Sequence, residues 1–416
     1  MNNNRRVVVT GLGAVTPIGL DVPSYWSGLC AGKRAGAQVT SISTEGLNCH
    51  IAAFIPDFNA EDYFDKKEAR KNERFTQLAM VAAREASKDS GLVITEENAD
   101  RCGTIIGCGI GGLETIMEQH TASLEKGLKR VSPFLIPKII TNMAAGMVAI
   151  DLNLRGPNFC VVTACASATH SIGESFHTIA RGDADVMFAG GTESAITTLG
   201  MAGFSNMHAL TTRNDDPQSA SRPFDKERDG FLMGEGAGII VLEELEHAKA
   251  RGARIYCELA GYGASCDAHH ITAPAPDGNG GARAMQAALR CAGLNPEDVD
   301  YVNAHGTSTP MNDKLETMAI KTVFGDHAKN GLVVNSTKSM IGHLLGAAGG
   351  VEGVVMALTI ANNIVHPTAN YTTPDPECDL DYVPNTAREM KVRAAISNSL
   401  GFGGHNATIA MKKFEG

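Results

Sequence analysis

The chain has 416 residues, of which 43% are hydrophobic and 20% charged, with 36 basic against 46 acidic side chains and a formal net charge of −10. That length and mixture suit a globular protein with a large core and room for roughly two to three ordinary domains. The acidic balance excludes a chain that binds nucleic acid over its whole surface, though not a local basic patch.

In chain order, Met1–Arg6 runs straight into Val7–Val9, which is neither a signal nor a transit pattern and predicts a cytoplasmic protein. Apolar runs recur at Val7–Thr10, Thr104–Ile106, Phe159–Val162, Val186–Phe188, Ile239–Leu242, Tyr301–Asn303, Leu332–Val334 and Ala394–Ile396. They are continuous rather than alternating, as in strands covered on both faces. Small-residue helical segments separate them, so the pattern is α/β with layered sheets. Gly11-Leu12-Gly13 reads as a tight strand-to-helix turn and not a dinucleotide fingerprint, because Thr16 takes the third glycine's place and Pro17 breaks the helix start. Lys67, Arg70, Lys71 and Arg74 fall at i, i+3, i+4 and i+7 and predict a basic ridge on one helix face. Lys126, Lys129 and Arg130 extend it. Such a ridge on an acidic protein suits the steering of an acidic partner.

Cys165 lies where a strand-like run turns into a small-residue helix. A lone cysteine is more often a buried structural thiol. Here the helix N-terminus favours thiolate, and small neighbours leave room for a substrate carbonyl beside backbone N–H groups. Ile172, Phe176 and Ile179 mark the helix's buried face and Gly182 its stop. His170 points away from Cys165, so the partners of the thiol must come from elsewhere. The ten cysteines contain no C-x-x-C pair and His269-His270 stands alone, which predicts free thiols in a reducing compartment and no metal site.

Near Arg251–Arg254 a charged helix ends, which divides the chain into an N-terminal half, 1–252, and a C-terminal half, 253–416. The second half supplies two more polar segments. His305 precedes the hydroxyl-rich turn Gly306-Thr307-Ser308-Thr309-Pro310, suited to an extended amide-bearing arm. Lys338 and His343 are read as sharing the opening of one helix, with Glu352 as the partner a buried lysine needs. Met340–Ala361 is apolar enough to imitate a membrane span, but His343, Glu352 and several glycines make it a buried central helix. Gly401-Phe402-Gly403-Gly404 reads as a gate whose glycines absorb backbone change.

Taken together, Thr163-Ala164-Cys165, Val302–Asp313, Asn335–His343 and Gly401–Gly404 resemble the signatures of a chain-elongating, type II β-ketoacyl-(acyl carrier protein) synthase of the thiolase superfamily. The match runs from the first strand to the last glycines. Two histidines rather than a histidine and a second cysteine separate this family from thiolases, and Asn312-Asp313 is similar to type II rather than type I synthases. The resemblance implies a duplicated five-layer αβαβα fold, a homodimer, and acyl carrier protein as partner. It implies no cofactor beyond the phosphopantetheine arm of that carrier. Cys165 would take the acyl chain; His305 and His343 would stabilise the enolate formed as malonyl-carrier loses CO2. Backbone N–H groups of Cys165 and Phe402 would form the oxyanion hole, and Lys338 would orient the site. Thr307 and Thr309 would contact pantetheine; Ile110, Phe134 and Phe204 would line the acyl tunnel. Lys67, Arg70, Lys71, Arg74, Lys129 and Arg130 would dock the carrier, with His208 standing where many relatives carry an arginine.

Three other readings compete. A cysteine hydrolase needs one oriented histidine and a water path, and the constellation exceeds that need. A non-catalytic chain-length subunit of the same fold lacks the cysteine. A ketosynthase of a polyketide or specialised lipid pathway keeps every catalytic residue and differs only in its starter and product.

Overall fold

A computed structural model describes residues 5–416. Its main strands are β1 (Val7–Val15), β2 (Cys102–Gly107), β3 (Asn158–Phe159), β4 (Val186–Glu193) and β5 (Gly236–Glu244), then β6 (Cys257–Cys266), β7 (Tyr301–Asn303), β8 (Val333–Asn335), β9 (Ala394–Gly401) and β10 (His405–Lys412). The first set is ordered β3-β2-β4-β5-β1 and the second β8-β7-β9-β10-β6. In each, the first two pairings are parallel and the last two antiparallel. The chain therefore folds the same topology twice. Among the described residues, the sets pair only where Val7–Val9 meets Cys257–Leu259.

Five helices complete the layers: α1 (Arg74–Ser90), α2 (Ser167–Arg181), α3 (Asn279–Ala292), α4 (Pro310–Phe324) and α5 (Ala348–Asn362). α1 covers the outer face of β1 and β5, and α3 covers that of β6 and β10 with α4 beside it. α2 and α5 pack on each other between the sheets. The result is the duplicated αβαβα sandwich that the resemblance implied. β5 shows why its apolar run is unbroken. Ile239 and Val241 enter the core under α1, whereas Ile240 and Leu242 enter the core around α2 and α5. Alternate side chains face two helical layers, so neither face tolerates polar residues.

The Gly-Leu-Gly segment is not a turn. Gly11 and Gly13 sit inside β1, where a Cβ would come within 2.3 Å of the Ala86 carbonyl oxygen and 1.9 Å of that of Ala82 on α1. The glycines let helix backbone rest on the sheet. Gly261 and Gly263 repeat the device in β6, 2.4 and 2.2 Å from the Ala288 and Ala284 oxygens of α3. The basic ridge needs a similar correction. The helix carrying it ends at Lys71, Asn72 is extended, and Arg74 begins α1. Arg74 is turned inward onto Glu235 at 2.8 Å, while Lys67, Arg70 and Lys71 stay exposed, as do Lys129 and Arg130. The apolar segment Leu345–Asn362 is the one stretch among the described residues long and apolar enough to cross a membrane, and 89% of it is buried inside the fold.

Candidate active site

The site is built where both halves bring the ends of their parallel strands to one cavity. In the N-terminal half the chain leaves β3 and turns sharply into α2. Ala164 takes φ +50°, a costly backbone for a non-glycine residue. Ser167 secures the turn: its Oγ accepts from Thr163 N (2.9 Å) and donates to the Ala164 carbonyl (2.7 Å). Cys165 is thereby presented just ahead of the first turn of α2, which ends at Gly182 with φ +87°. His170 is bonded away from it, to the Tyr262 hydroxyl at 2.6 Å.

In the C-terminal half, His305 follows β7. Its backbone N–H and that of Gly306 each donate at 2.8 Å to Glu316 on α4, so one buried carboxylate fixes the turn. Sequence reasoning missed Glu316. Its signal was the stripe Asp313, Glu316, Thr317, Ile320, which puts charge on the buried face of α4. Lys338 and His343 do not share a helix. A single turn, Lys338–Ile341, ends at Gly342 with φ +70°, and α5 starts only at Ala348. His343 lies in the break, held by its N–H to the Leu232 carbonyl (2.7 Å) and by its own carbonyl to Gly234 N (2.9 Å).

These elements bring Cys165 Sγ and one ring nitrogen of each histidine within 4.8 Å of one another, all buried. The imidazoles meet edge to face, with centroids 5.2 Å apart. Burial, with Lys338 close by, pushes both histidines well below their usual pKa, so both are neutral. The tautomer of His343 is set by its neighbour. Leu345 N–H donates to His343 Nδ1 at 3.3 Å, so the proton sits on Nε2, which is buried without a protein partner. His343 thus offers the cavity a hydrogen-bond donor. A metal ion would need a lone pair on that nitrogen.

Lys338 is 1% exposed and paired with Glu352 at 2.5 Å, the partner expected from the sequence. Burial pushes the Cys165 thiol up to about 12, while Lys338 and the Phe402 N–H act in the opposite direction, as the helix N-terminus was expected to. The Phe402 backbone reaches Cys165 because Gly401 lets it: a Cβ there would lie 3.2 Å from Cys165 N and 2.9 Å from the Thr163 oxygen. The next two glycines, Gly403 and Gly404, take φ +81° and +72°.

Cys165, Phe402, both histidines, Phe204, His208, Thr307 and Thr309 line one cavity of about 350 Å³. Thr307 and Thr309 are joined through their hydroxyls at 3.0 Å. Phe204 sits 6.4 Å from Phe402, ring to ring, and Ile110 packs in the same apolar cluster as Cys165. Phe134 is not brought to the cavity of its own chain. It is 42% exposed and borders a separate groove with Lys67 and Lys71.

The β-ketoacyl synthase N-terminal domain model matches residues 4–248, and the C-terminal domain model matches residues 256–372. The chain is 57% identical over 415 residues to the 3-oxoacyl-[acyl-carrier-protein] synthase 2 of Staphylococcus aureus (strain COL), covering 100% of both. It is 54% identical to the synthase of the same name from Synechocystis, covering 99% of both. Among solved structures it is similar to a type II polyketide ketosynthase in complex with its acyl carrier protein (TM-score 0.91, 36% identity, 99% of this chain and 100% of that one). It is equally similar to a β-ketoacyl synthase from Burkholderia phymatum (TM-score 0.92, 36% identity, with the same coverage).

Proposed function

Because the chain belongs to the β-ketoacyl synthase family, we propose that it elongates fatty acyl chains by decarboxylative Claisen condensation on acyl carrier protein. The observation that carries this reading is the convergence of one thiol and two neutral imidazoles on a single buried cavity. The Cys165 sulfur displaces the carrier thiol from an acyl thioester, which leaves an acyl-enzyme and free carrier. Malonyl-carrier then enters and loses CO2. The electron pair of the broken C–C bond becomes an enolate, whose oxygen is stabilised by imidazole N–H donors; His343 Nε2–H is aimed to serve. The enolate carbon attacks the acyl carbonyl, and the resulting oxyanion is held by the N–H groups of Cys165 and Phe402. Collapse of this adduct expels the Cys165 sulfur and yields 3-oxoacyl-carrier.

Thr307 and Thr309 hold the pantetheine arm at the cavity mouth, while Phe204 and Ile110 bound the acyl chain. Lys67, Arg70, Lys71, Lys129 and Arg130 receive the acidic carrier, whereas Arg74 supports the fold through Glu235. The protein acts in the cytoplasm as a homodimer with no cofactor of its own. Ile136, Phe159 and Val162 are 59%, 43% and 53% exposed, which favours apolar burial by a second copy. Sedimentation at micromolar concentration should give twice the chain mass.

The decisive experiment is intact mass after incubation with long-chain acyl carrier protein, followed by malonyl-carrier. A single acyl adduct, absent in Cys165→Ala and discharged as 3-oxoacyl-carrier, is the expected outcome. Free fatty acid without malonyl would replace condensation by hydrolysis. The likeness to a polyketide ketosynthase favours a second reading, a specialised ketosynthase. Repeated extension without reduction between cycles would select it.

A further inference from the structure

Glu193 ends β4 fully buried and collects four donors. Gly109 N (2.8 Å) and Gly346 N (3.1 Å) donate to Oε2, while Ile110 N (3.2 Å) and Cys108 Sγ (3.4 Å) donate to Oε1. Among the described residues no side-chain cation contacts it; burial raises its carboxyl above the ordinary value, and the N–H and S–H donors oppose that rise. The donors come from opposite halves of the chain. Gly346 belongs to the break that carries His343, one residue after Leu345, whose N–H fixes the His343 tautomer. Ile110 belongs to the turn that packs on the apolar cluster around Cys165. The packing is as close as backbone allows, since a Cβ on Gly346 would lie 2.3 Å from Gly109 N.

We propose that Glu193 is a positioning residue that clamps the two halves at the active site and keeps the Leu345 N–H on His343 Nδ1. The His343 Nε2 proton then faces the cavity in every turnover. A carboxylate suits this cluster of donors because it accepts at both oxygens and donates at neither. An amide would set its NH2 against the donors on one side. Aspartate is one methylene shorter and cannot reach both turns. The inference rests on the condensation mechanism above, in which His343 acts after malonyl-carrier enters and not during acylation of Cys165.

The test separates the half-reactions in the intact protein for wild type, Glu193→Gln and Glu193→Asp. Acylation of Cys165 is followed by intact mass, and its discharge by malonyl-carrier is timed afterwards. Both variants are expected to acylate within about 3-fold of wild type and to discharge roughly 10²-fold more slowly, the scale of a small misplacement at a reacting centre. Equal loss in both half-reactions, or loss in neither, would overturn the proposal. Nitrogen-15 chemical shifts of the His343 ring in the wild type give a readout that survives poor folding of the variants. Nε2–H is expected, and an Nδ1–H ring would also overturn it. Failure of wild type itself to discharge would sink the condensation reading instead.

Discussion

Lys338 and Glu352 bury an opposite-charge pair at 1% exposure, and burial first, with that cation second, lowers the pKa of the histidines nearby. Removing one partner leaves the other charge stranded. Lys338→Ala is expected to cost about 3–5 kcal/mol in urea unfolding, whereas the double variant Lys338→Met/Glu352→Leu should recover most of that loss. Gly401 poses a local question of shape. A methyl group there would press on Cys165 N and the Thr163 carbonyl. Gly401→Ala should lower kcat by roughly 10²-fold by disturbing an oxyanion donor, with little change in thermal midpoint. The chemistry-bearing residues were legible because each lies in a polar interruption of an apolar run. The acids that hold them were not. Glu193 and Glu316 grip backbone N–H groups distant or reversed in sequence, and no spacing rule marks such contacts. The environment of Cys165 was only half legible for a related reason: sequence shows the helix N-terminus but not the depth of burial that opposes it.

Among the elements, the strand–helix contacts test the repeat. Gly13→Ala and Gly263→Ala put a methyl group into the carbonyls of Ala82 and Ala284, on α1 and α3. Each is expected to lose about 1–3 kcal/mol or somewhat more, as for overpacked cores, measured by equilibrium denaturation. Equal losses would mean that the two outer layers depend on the same device. The apolar strands were legible from their β-branched runs, but β6 and β10 were not. β6 reads Cys-Glu-Leu-Ala-Gly-Tyr-Gly-Ala-Ser-Cys, whose small residues serve the approach of α3 and erase the usual strand signal. The predicted strand Phe159–Val162 shrinks to Asn158–Phe159 because the chain must leave the sheet to make the Cys165 turn. Gly342 likewise divided one expected helix into a turn, a break and α5.

For the molecule as a whole, one buried acid and two salt-bridged ones illustrate the pH response. Glu85 on α1 accepts from Ala14 N and Val22 N, and burial raises it from the ordinary 4.5 to about 7. Between those values the folded chain holds a proton that the unfolded chain has lost, so this group makes stability fall as pH rises. Asp185 is held down at about 2, chiefly by its bond to Arg101, and Asp379 likewise by Lys321 and Lys329. Their contribution is present above the ordinary aspartate range and disappears as pH falls toward 2. Burial raises Glu316 and Glu352 to about 7 as well, so the thermal midpoint should peak near pH 5 and Glu85→Gln should remove only part of its decline between pH 5 and 7.

The nucleophile belongs to one half of the fold and both imidazoles to the other, so no short stretch of chain sets the distance between them. That distance is the thickness of the middle layer, where α2 lies on α5. Gly349 is its gauge, since a Cβ there would stand 2.0 Å from Thr169 Oγ1. One methyl group at this contact, which never meets substrate, would act as a shim that pries the thiol away from the groups that must act with it.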